Sequence, residues 1–214
     1  EHSETAFMTN RAMEFIEESK DKPWFLHLSY IKPHWPYMAP APYHNMYSAN
    51  EFYPVHRNDA ERNNDHPVYK AFMENSISKT FSKDEVRNTV LSGYMGLIKQ
   101  IDDNLGRLFK FLEEVGRMDD TMIIFTSDHG DYQGDHWLGE KELFHEQSVR
   151  VPMIIYDPSE YANKTRGKKE QRFIEAIDLL PTFLDAVESP ASKHRLEGNS
   201  LIPLLKGEET KNWK

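Results

Sequence analysis

The side chains best suited to chemistry are concentrated in residues 127–150, SDHGDYQGDHWLGEKELFHEQSVR, which we call the central loop. Asp128 and His129 lie near its start, and Gly130 after them relaxes the backbone. A carboxylate oxygen beside an imidazole nitrogen is a suitable part of a divalent-metal site. Asp-His-Gly is also an ordinary turn sequence. Lys141 and the other loop charges favour instead a site in which a metal ion holds an anion.

A second segment that could take part in chemistry is residues 32–43, KPHWPYMAPAPY, which we call the proline loop. Its four prolines forbid a helix and favour an extended, rigid backbone. His34 lies in this loop, four residues beyond the end of a predicted strand. A histidine there could be an ordinary packed residue. Its position past the carboxyl end of a strand is what favours a functional role.

Short apolar runs predict the strands that hold these two loops. They cover residues 24–30, 122–126 and 151–156, and their residue types suit strands that are covered on both faces. Ligands of parallel sheets collect in the crevice beyond the carboxyl ends of the strands. We therefore predict an α/β fold, with a mostly parallel sheet flanked by helices.

Helical periodicity marks residues 3–20, 85–116 and 174–187. Ser3 is a candidate N-cap for the first helix. In the last helix, Asp178 lies near the start and Pro181 falls in the first turn. The predicted apolar stripe of the first helix consists of Phe7, Met8, Ala12, Phe15 and Ile16.

The clearest helix covers residues 85–116, where apolar residues recur at i, i+3 and i+4 and Gly116 suits the position after the helix end. Asp102 and Asp103 interrupt its apolar pattern. Adjacent residues on a helix diverge by about 100°, so these two carboxylates cannot both point to one ligand. We expect one to face solvent and the other to bond nearby backbone, which is a structural role.

Residues 44–84 are polar and lack periodicity, so we predict an irregular excursion with at most one short helix. Residues 157–172 carry a basic run that we interpret as solvated surface. Residues 201–205 are apolar and should pack down after a turn. The whole chain, residues 1–214, is interpreted as one piece of a longer polypeptide.

Composition excludes several classes of protein and of site. The 214 residues include no cysteine, which excludes disulfides and thiolate ligands from this chain. The formal charge of −9 disfavours nonspecific nucleic-acid binding. No apolar run approaches the ~20 residues of a membrane span. No targeting signal or initiator Met is visible at Glu1, so we expect a piece of a longer polypeptide, and a cytoplasmic location over a periplasmic or secreted one.

The central loop resembles the C-terminal half of sulfatases and phosphonate monoester hydrolases, which belong to the alkaline phosphatase superfamily. The match begins with SDHGDYQGDHWLGEK and continues through ELFHEQSVRVPMII. Residues 22–43 are similar to the PHxP segment of this family, residues 92–112 to its long helix, and residues 177–208 to its terminal helix and turn. The spacing GDHxLxxK, which ends at Lys141, favours phosphonate monoester hydrolases over arylsulfatases.

The resemblance implies a role for four residues. Asp128 and His129 match two metal ligands of the family. Lys141 matches the lysine that binds sulfuryl or phosphoryl oxygens, and His34 matches the histidine that contacts the ester and serves its leaving group. These roles agree with the chemistry of the side chains, because a metal ion polarises an anion and a cation neutralises charge that develops during transfer.

The resemblance further implies that residues 1–214 are the C-terminal portion of a sulfatase-like catalytic domain. The protein would then be a metal-dependent hydrolase of sulfate esters or of phosphonate or phosphate esters. An oxygen-rich metal shell with one imidazole suits Mg²⁺, Ca²⁺ or Mn²⁺. The family's formylglycine-type nucleophile, in a CxPxR or SxPxR motif, and its other metal-binding aspartates come from an N-terminal half. Neither motif occurs in these residues, so the isolated segment should be inactive.

Two alternatives to this function are a metal-dependent phosphodiesterase or phosphotransferase of the same superfamily, and a non-catalytic binding domain that keeps the fold. The expected partners are a small anionic ester and the N-terminal half of the same protein, with homo-oligomerisation left open. We expect no nucleic-acid or membrane partner.

Overall fold

The computed structural model describes residues 2–63, 66–191, 195–210 and 213. None of the helices in these ranges is long and apolar enough to cross a lipid bilayer. The α-helices are α1 (Glu4–Ser19), α2 (Asp59–Arg62), α3 (Pro67–Glu74), α4 (Ser76–Phe81), α5 (Asp84–Glu114), α6 (Glu146–Val149), α7 (Leu179–Ala186) and α8 (Ile202–Leu205), and the strands are β1 (Ile123–Thr126) and β2 (Met153–Tyr156).

The chain divides into two compact units. The first unit consists of the residues up to Arg117 together with His129–Pro152, and the second consists of Met118–Asp128 together with Met153–Lys214. The proline loop and the central loop from His129 onward therefore belong to the first unit, whereas Asp128 belongs to the second.

In the first unit, α1 packs against α5, and Ser3 caps α1 as predicted by accepting a hydrogen bond from Ala6 N at 3.2 Å. The predicted apolar stripe is only partly right. Ala12 and Ile16 are buried, but Phe7 is 59% and Phe15 is 37% exposed. The buried face also contains threonines, which no hydrophobic pattern detects; they are Thr5 and Thr9.

The long helix α5 is where the sequence predicted it. Val115 is its C-cap and Gly116 follows with a left-handed φ of 68°. Gly93 has a separate role, since a Cβ there would lie 2.3 Å from the carbonyl oxygen of Tyr37. A Cβ on Gly96 would likewise lie 2.4 Å from the carbonyl oxygen of Tyr43. The two glycines therefore let the proline loop lie directly on α5.

Asp102 and Asp103 have the structural role predicted for them, but with different partners. Both carboxylates accept from Lys99 Nζ, at 2.9 and 2.6 Å, and Asp103 Oδ2 also accepts from Tyr43 Oη at 3.0 Å. The prediction of a backbone partner is wrong because a lysine one turn earlier on α5 reaches both carboxylates.

The second unit contains β1 and β2, which pair antiparallel with Phe125 opposite Ile154. The α/β class is confirmed, but the parallel pairing expected for these two strands is wrong. An antiparallel pair is compatible with this class, because α/β folds commonly add antiparallel strands to a sheet. Apolar strand sequences indicate burial and carry no signal for the direction of the partner.

The strand predicted at residues 24–30 is also wrong, since no strand is assigned there. Exposure nevertheless alternates along the segment as in a strand, with Trp24, Leu26 and Leu28 more buried than Phe25, His27 and Ser29. A strand is defined by hydrogen bonds to a neighbour, and these residues pair with no strand within the described part of the chain.

Residues 44–84 are more regular than predicted, because α2, α3 and α4 all fall in this segment. Each helix has four to eight residues, too few turns for periodicity to be visible in the sequence. Asn58 caps α2 and Asn75 caps α4, so local side-chain hydrogen bonds define these short helices.

The predicted terminal helix is α7, preceded by a 3-10 turn that ends at Asp178. The buried Asp178 carboxylate accepts from Glu175 N at 2.8 Å and from Asn199 N at 2.7 Å. Leu201, Ile202 and Leu204 are buried as predicted, so this turn and α8 complete the core of the second unit.

Candidate active site

The first unit brings together three of the residues singled out in the sequence. Lys141 Nζ lies 3.0 Å from His34 Nε2, although the two residues are 107 positions apart. The rings of His34 and His129 meet edge to face with their centroids 6.3 Å apart. All three side chains are half-buried. The proline loop therefore brings His34 next to His129 and Lys141 of the central loop.

Both ring nitrogens of His34 have a hydrogen-bond partner. An ammonium group can only donate, so Nε2 accepts from Lys141. Nδ1 lies 3.1 Å from the carbonyl oxygen of Trp35, which can only accept, so Nδ1 donates to it. The Nε2 of His34 therefore faces Lys141. Lys32 Nζ holds the same turn by donating to the carbonyl oxygens of His34 and Pro36, at 3.3 and 2.9 Å.

His129 is held by the backbone of its own loop. Its Nδ1 lies 2.8 Å from the carbonyl oxygen of Gly130, a type of contact that orients a histidine to bind a metal ion through Nε2. Asp128 is exposed, and Ser127 Oγ lies 3.4 Å from its Oδ1. A carboxylate and an imidazole are side-chain types that bind divalent metal ions, and Asp128 and His129 are adjacent in the chain.

The described residues do not complete such a shell, because no group of three or more His, Asp or Glu among them could hold a metal ion. A divalent ion bound by Asp128 and His129 would need its remaining ligands from outside these residues.

The backbone around His129 and Lys141 is held by α6. Gly130 N donates to the carbonyl oxygen of Ser148 at 2.7 Å, and Ser148 Oγ donates to the carbonyl oxygen of Lys141 at 2.5 Å. A Cβ on Gly130 would lie 2.0 Å from the carbonyl oxygen of Gln147, so only glycine allows this approach. Ser148 thus ties together the two parts of the central loop, a role that no motif in the sequence indicated.

Strained backbone is concentrated in the same loop. Gln133, His136, Trp137 and Glu140 all have positive φ, between 47° and 63°. Such conformations cost about 1–3 kcal/mol each and persist where surrounding contacts determine them. One such contact in the central loop is the hydrogen bond that Tyr132 N donates to the carbonyl oxygen of Glu140 at 2.8 Å.

A second histidine cluster anchors the excursion to the central loop. The rings of His136 and His145 stack with centroids 4.1 Å apart. His136 Nδ1 lies 2.9 Å from Glu61 Oε1, and His145 Nδ1 lies 2.8 Å from Oη of the fully buried Tyr132. Burial, followed by the neighbouring His136, lowers the pKa of His145. The cluster therefore packs α2 against the central loop.

One further contact joins the proline loop to the central loop. Tyr37 Oη donates to Asp131 Oδ2 at 2.7 Å, and Asp131 Oδ1 accepts from Gln133 N at 3.1 Å. Burial raises the pKa of Asp131, and these hydrogen bonds oppose that shift. Burial also raises the pKa of Tyr37, followed by the charge of Asp131.

Comparison with known proteins assigns a family to this arrangement. A family model described as Sulfatase matches residues 2–189. The chain is 38% identical to the multifunctional alkaline phosphatase superfamily protein PehA of Trinickia caryophylli, over 100% of this chain and 43% of that protein. It is 31% identical to an arylsulfatase of Clostridium perfringens, over 98% of this chain and 43% of that enzyme.

Among solved structures, the phosphonate monoester hydrolase of Agrobacterium radiobacter matches with a TM-score of 0.90 and 32% identity. The match covers 99% of this chain and 44% of that one. The chain thus spans less than half the length of these relatives, although nearly all of it aligns with them.

Proposed function

Because this chain belongs to the sulfatase family, we propose that the complete protein is a metal-dependent hydrolase of phosphonate or phosphate monoesters or of sulfate esters. The contact that carries the proposal is Lys141 Nζ at 3.0 Å from His34 Nε2, beside the ring of His129. An ammonium group and two imidazole rings therefore lie side by side. A small tetrahedral anion is the substrate class that such a set neutralises.

Asp128 and His129 would hold the metal ion, with further ligands from the remaining part of the protein. A bound divalent ion supplies charge that polarises the anion. Lys141 binds the oxygens of the ester as a donor-only cation, which it can do by leaving the lone pair of His34. The charge of Lys141 then lies where negative charge develops during transfer.

His34 is suited to the leaving group. When its Nε2 accepts from Lys141, this nitrogen must take up a proton before it can donate one to the departing oxygen. The hydrogen bond from Nδ1 to the carbonyl oxygen of Trp35 keeps the ring oriented during this exchange. The nucleophile, which we expect to be a formylglycine-type residue, lies outside these 214 residues because they contain no cysteine and no SxPxR motif.

Phosphonate monoesters are the preferred substrate within this proposal. The spacing GDHxLxxK, ending at Lys141, supports them, as does the likeness in fold to a phosphonate monoester hydrolase. The arylsulfatase relative supports sulfate esters as a second substrate.

The test is an assay of the full-length protein with an aryl phosphonate monoester, an aryl sulfate and a phosphodiester, each with Mn²⁺, Mg²⁺ or Ca²⁺. We expect metal-dependent turnover that is fastest with the phosphonate monoester. A protein that turns over only the diester would belong to the phosphodiesterase alternative. The absence of turnover in every combination would leave the non-catalytic binding domain and overturn the proposal.

A further inference from the structure

We propose that Tyr37 and Asp131 are a positioning pair, which holds His34 at the leaving-group side of the site while Lys141 is engaged with the substrate. This inference rests on the proposed function and concerns how the side chains of its site are held in position. Tyr37 Oη donates to Asp131 Oδ2 at 2.7 Å. Tyr37 lies three residues after His34, and Asp131 lies two residues after His129.

The pair matters because the contact between Lys141 and His34, which also joins the two loops, must open during the reaction. Lys141 donates to His34 in the structure, but the same ammonium must turn to the ester oxygens when substrate binds. The Tyr37–Asp131 hydrogen bond involves no group that binds substrate. It can therefore persist through the reaction and keep the proline loop against the central loop.

Both partners are themselves fixed. The ring of Tyr37 packs edge to face on Phe81 and on Tyr94, with centroids 6.1 Å away in each case. The other oxygen of Asp131 accepts from Gln133 N at 3.1 Å, and the carbonyl of Gln133 accepts from Arg87 Nε at 3.0 Å. Arg87 is a buried residue of α5. The hydrogen bond between the two loops is thus anchored to the long helix at both ends.

Removing the phenol hydroxyl leaves the carboxylate oxygen of the half-buried Asp131 without this donor, so the two loops should shift apart. A displacement of about 1 Å at a reacting group can lower the rate about 100-fold. We expect Tyr37→Phe in the full-length enzyme to lower kcat about 10- to 100-fold, on the same principle, with KM and bound metal little changed.

The matched control is Tyr43→Phe. Tyr43 Oη also donates to a carboxylate, Asp103 Oδ2 at 3.0 Å, but Asp103 lies on α5 and not in the central loop. Both variants are measured with two aryl phosphonate monoesters that differ in the pKa of their leaving group. Since His34 serves the leaving group, Tyr37→Phe should lose more activity on the poorer one, whereas Tyr43→Phe should match the wild type on both.

Asp131→Asn keeps an acceptor for Tyr37 and should retain more activity than Tyr37→Phe. The positioning pair is overturned if Tyr37→Phe behaves like Tyr43→Phe, or if it loses activity equally on both esters. A crystal structure of full-length Tyr37→Phe shows the position of His34 independently of activity. If the separation of His34 from His129 is unchanged in that structure, the positioning pair is also overturned. A wild-type protein inactive on every ester overturns the proposed function instead, and the crystal structure still decides the positioning.

Discussion

At the scale of single residues, Lys141 is expected to contribute charge in the transition state. Lys141→Ala in the full-length protein should lower kcat by two to three orders of magnitude, or about 3 kcal/mol, the usual effect of removing one such donor. Its melting temperature should change little, because the side chain is half-buried. Lys99→Ala is the control, since Lys99 pairs with Asp102 and Asp103 on α5. A loss of less than threefold for Lys141→Ala would assign it to the surface.

Asp128 and His129 are expected to bind the divalent ion of the complete protein. Asp128→Ala and His129→Ala should each lower the metal content measured after dialysis, and activity should fall in parallel. Asp102→Ala removes a carboxylate with a structural role and should leave metal content unchanged. Full metal content and activity in both site variants would refute the assignment.

At the scale of elements, the packing of α6 against the start of the central loop depends on Gly130. Gly130→Ala adds a Cβ 2.0 Å from the carbonyl oxygen of Gln147, which is backbone and cannot rotate away. We expect a loss of about 1–3 kcal/mol in the free energy of unfolding and reduced activity, because Gly130 adjoins His129. Denaturant unfolding and kcat are the measurements.

The control for this substitution is Gly106→Ala. Gly106 lies inside α5 and a Cβ there meets nothing within 4 Å. Alanine should therefore stabilise the helix by about 0.5–1 kcal/mol and leave activity intact. Equal effects of the two substitutions would show that the approach of α6 to Gly130 is not needed.

The stability that the histidine cluster between α2 and the central loop contributes should decrease in acid. Burial and His136 lower the pKa of His145 in the folded state, so the unfolded chain binds this proton more readily. The stability that this group contributes is present above its unfolded pKa of about 6.5 and is lost as the pH falls through the folded value. Glu61 acts in the opposite direction and reduces the effect.

Thermal unfolding of the wild type and of His145→Gln between pH 5 and 8 measures this contribution. The difference in stability between the two proteins should shrink as the pH is lowered. His44→Gln, which changes an exposed histidine, should run parallel to the wild type. A constant difference for His145→Gln would contradict the proposed sensitivity.

At the scale of the whole molecule, the segment 1–214 is expected to fold but not to hydrolyse any ester. It holds too few metal ligands among the described residues, and it spans less than half the length of its relatives. Purified segment should show no turnover of an aryl sulfate, phosphonate monoester or phosphodiester with Mn²⁺, Mg²⁺ or Ca²⁺. Metal-dependent turnover of any of these would mean that the site is complete within it.

The same segment should associate with itself. In the β1–β2 pair, Phe125 and Ile154 lie directly opposite each other and are exposed, Ile154 by 63%. Phe25 is 67% exposed in the first unit. Exposed apolar surface of this kind favours association with other protein surfaces. Light scattering should show oligomers, and Ile154→Lys should reduce them; a monodisperse monomer would refute this expectation.

The sequence by itself determined the α/β class, the helices α1, α5 and α7, and the family of the chain. These features depend on local signals: helical periodicity, a serine cap, a glycine after the helix end, and the DHG and GDHxLxxK spacings. It also named the four candidate site residues Asp128, His129, Lys141 and His34, each through its own short motif. The roles of these four stay predictions.

Only the tertiary structure decided how distant segments meet. It brings Lys141 to His34 across 107 positions, pairs β1 with β2 antiparallel and leaves residues 24–30 without a described partner strand. It also reveals Tyr37, Asp131 and Ser148 as the residues that hold the loops together. The physical reason is that a hydrogen bond between loops depends on the spatial proximity of two groups. A sequence motif records only the spacing of residues along one segment.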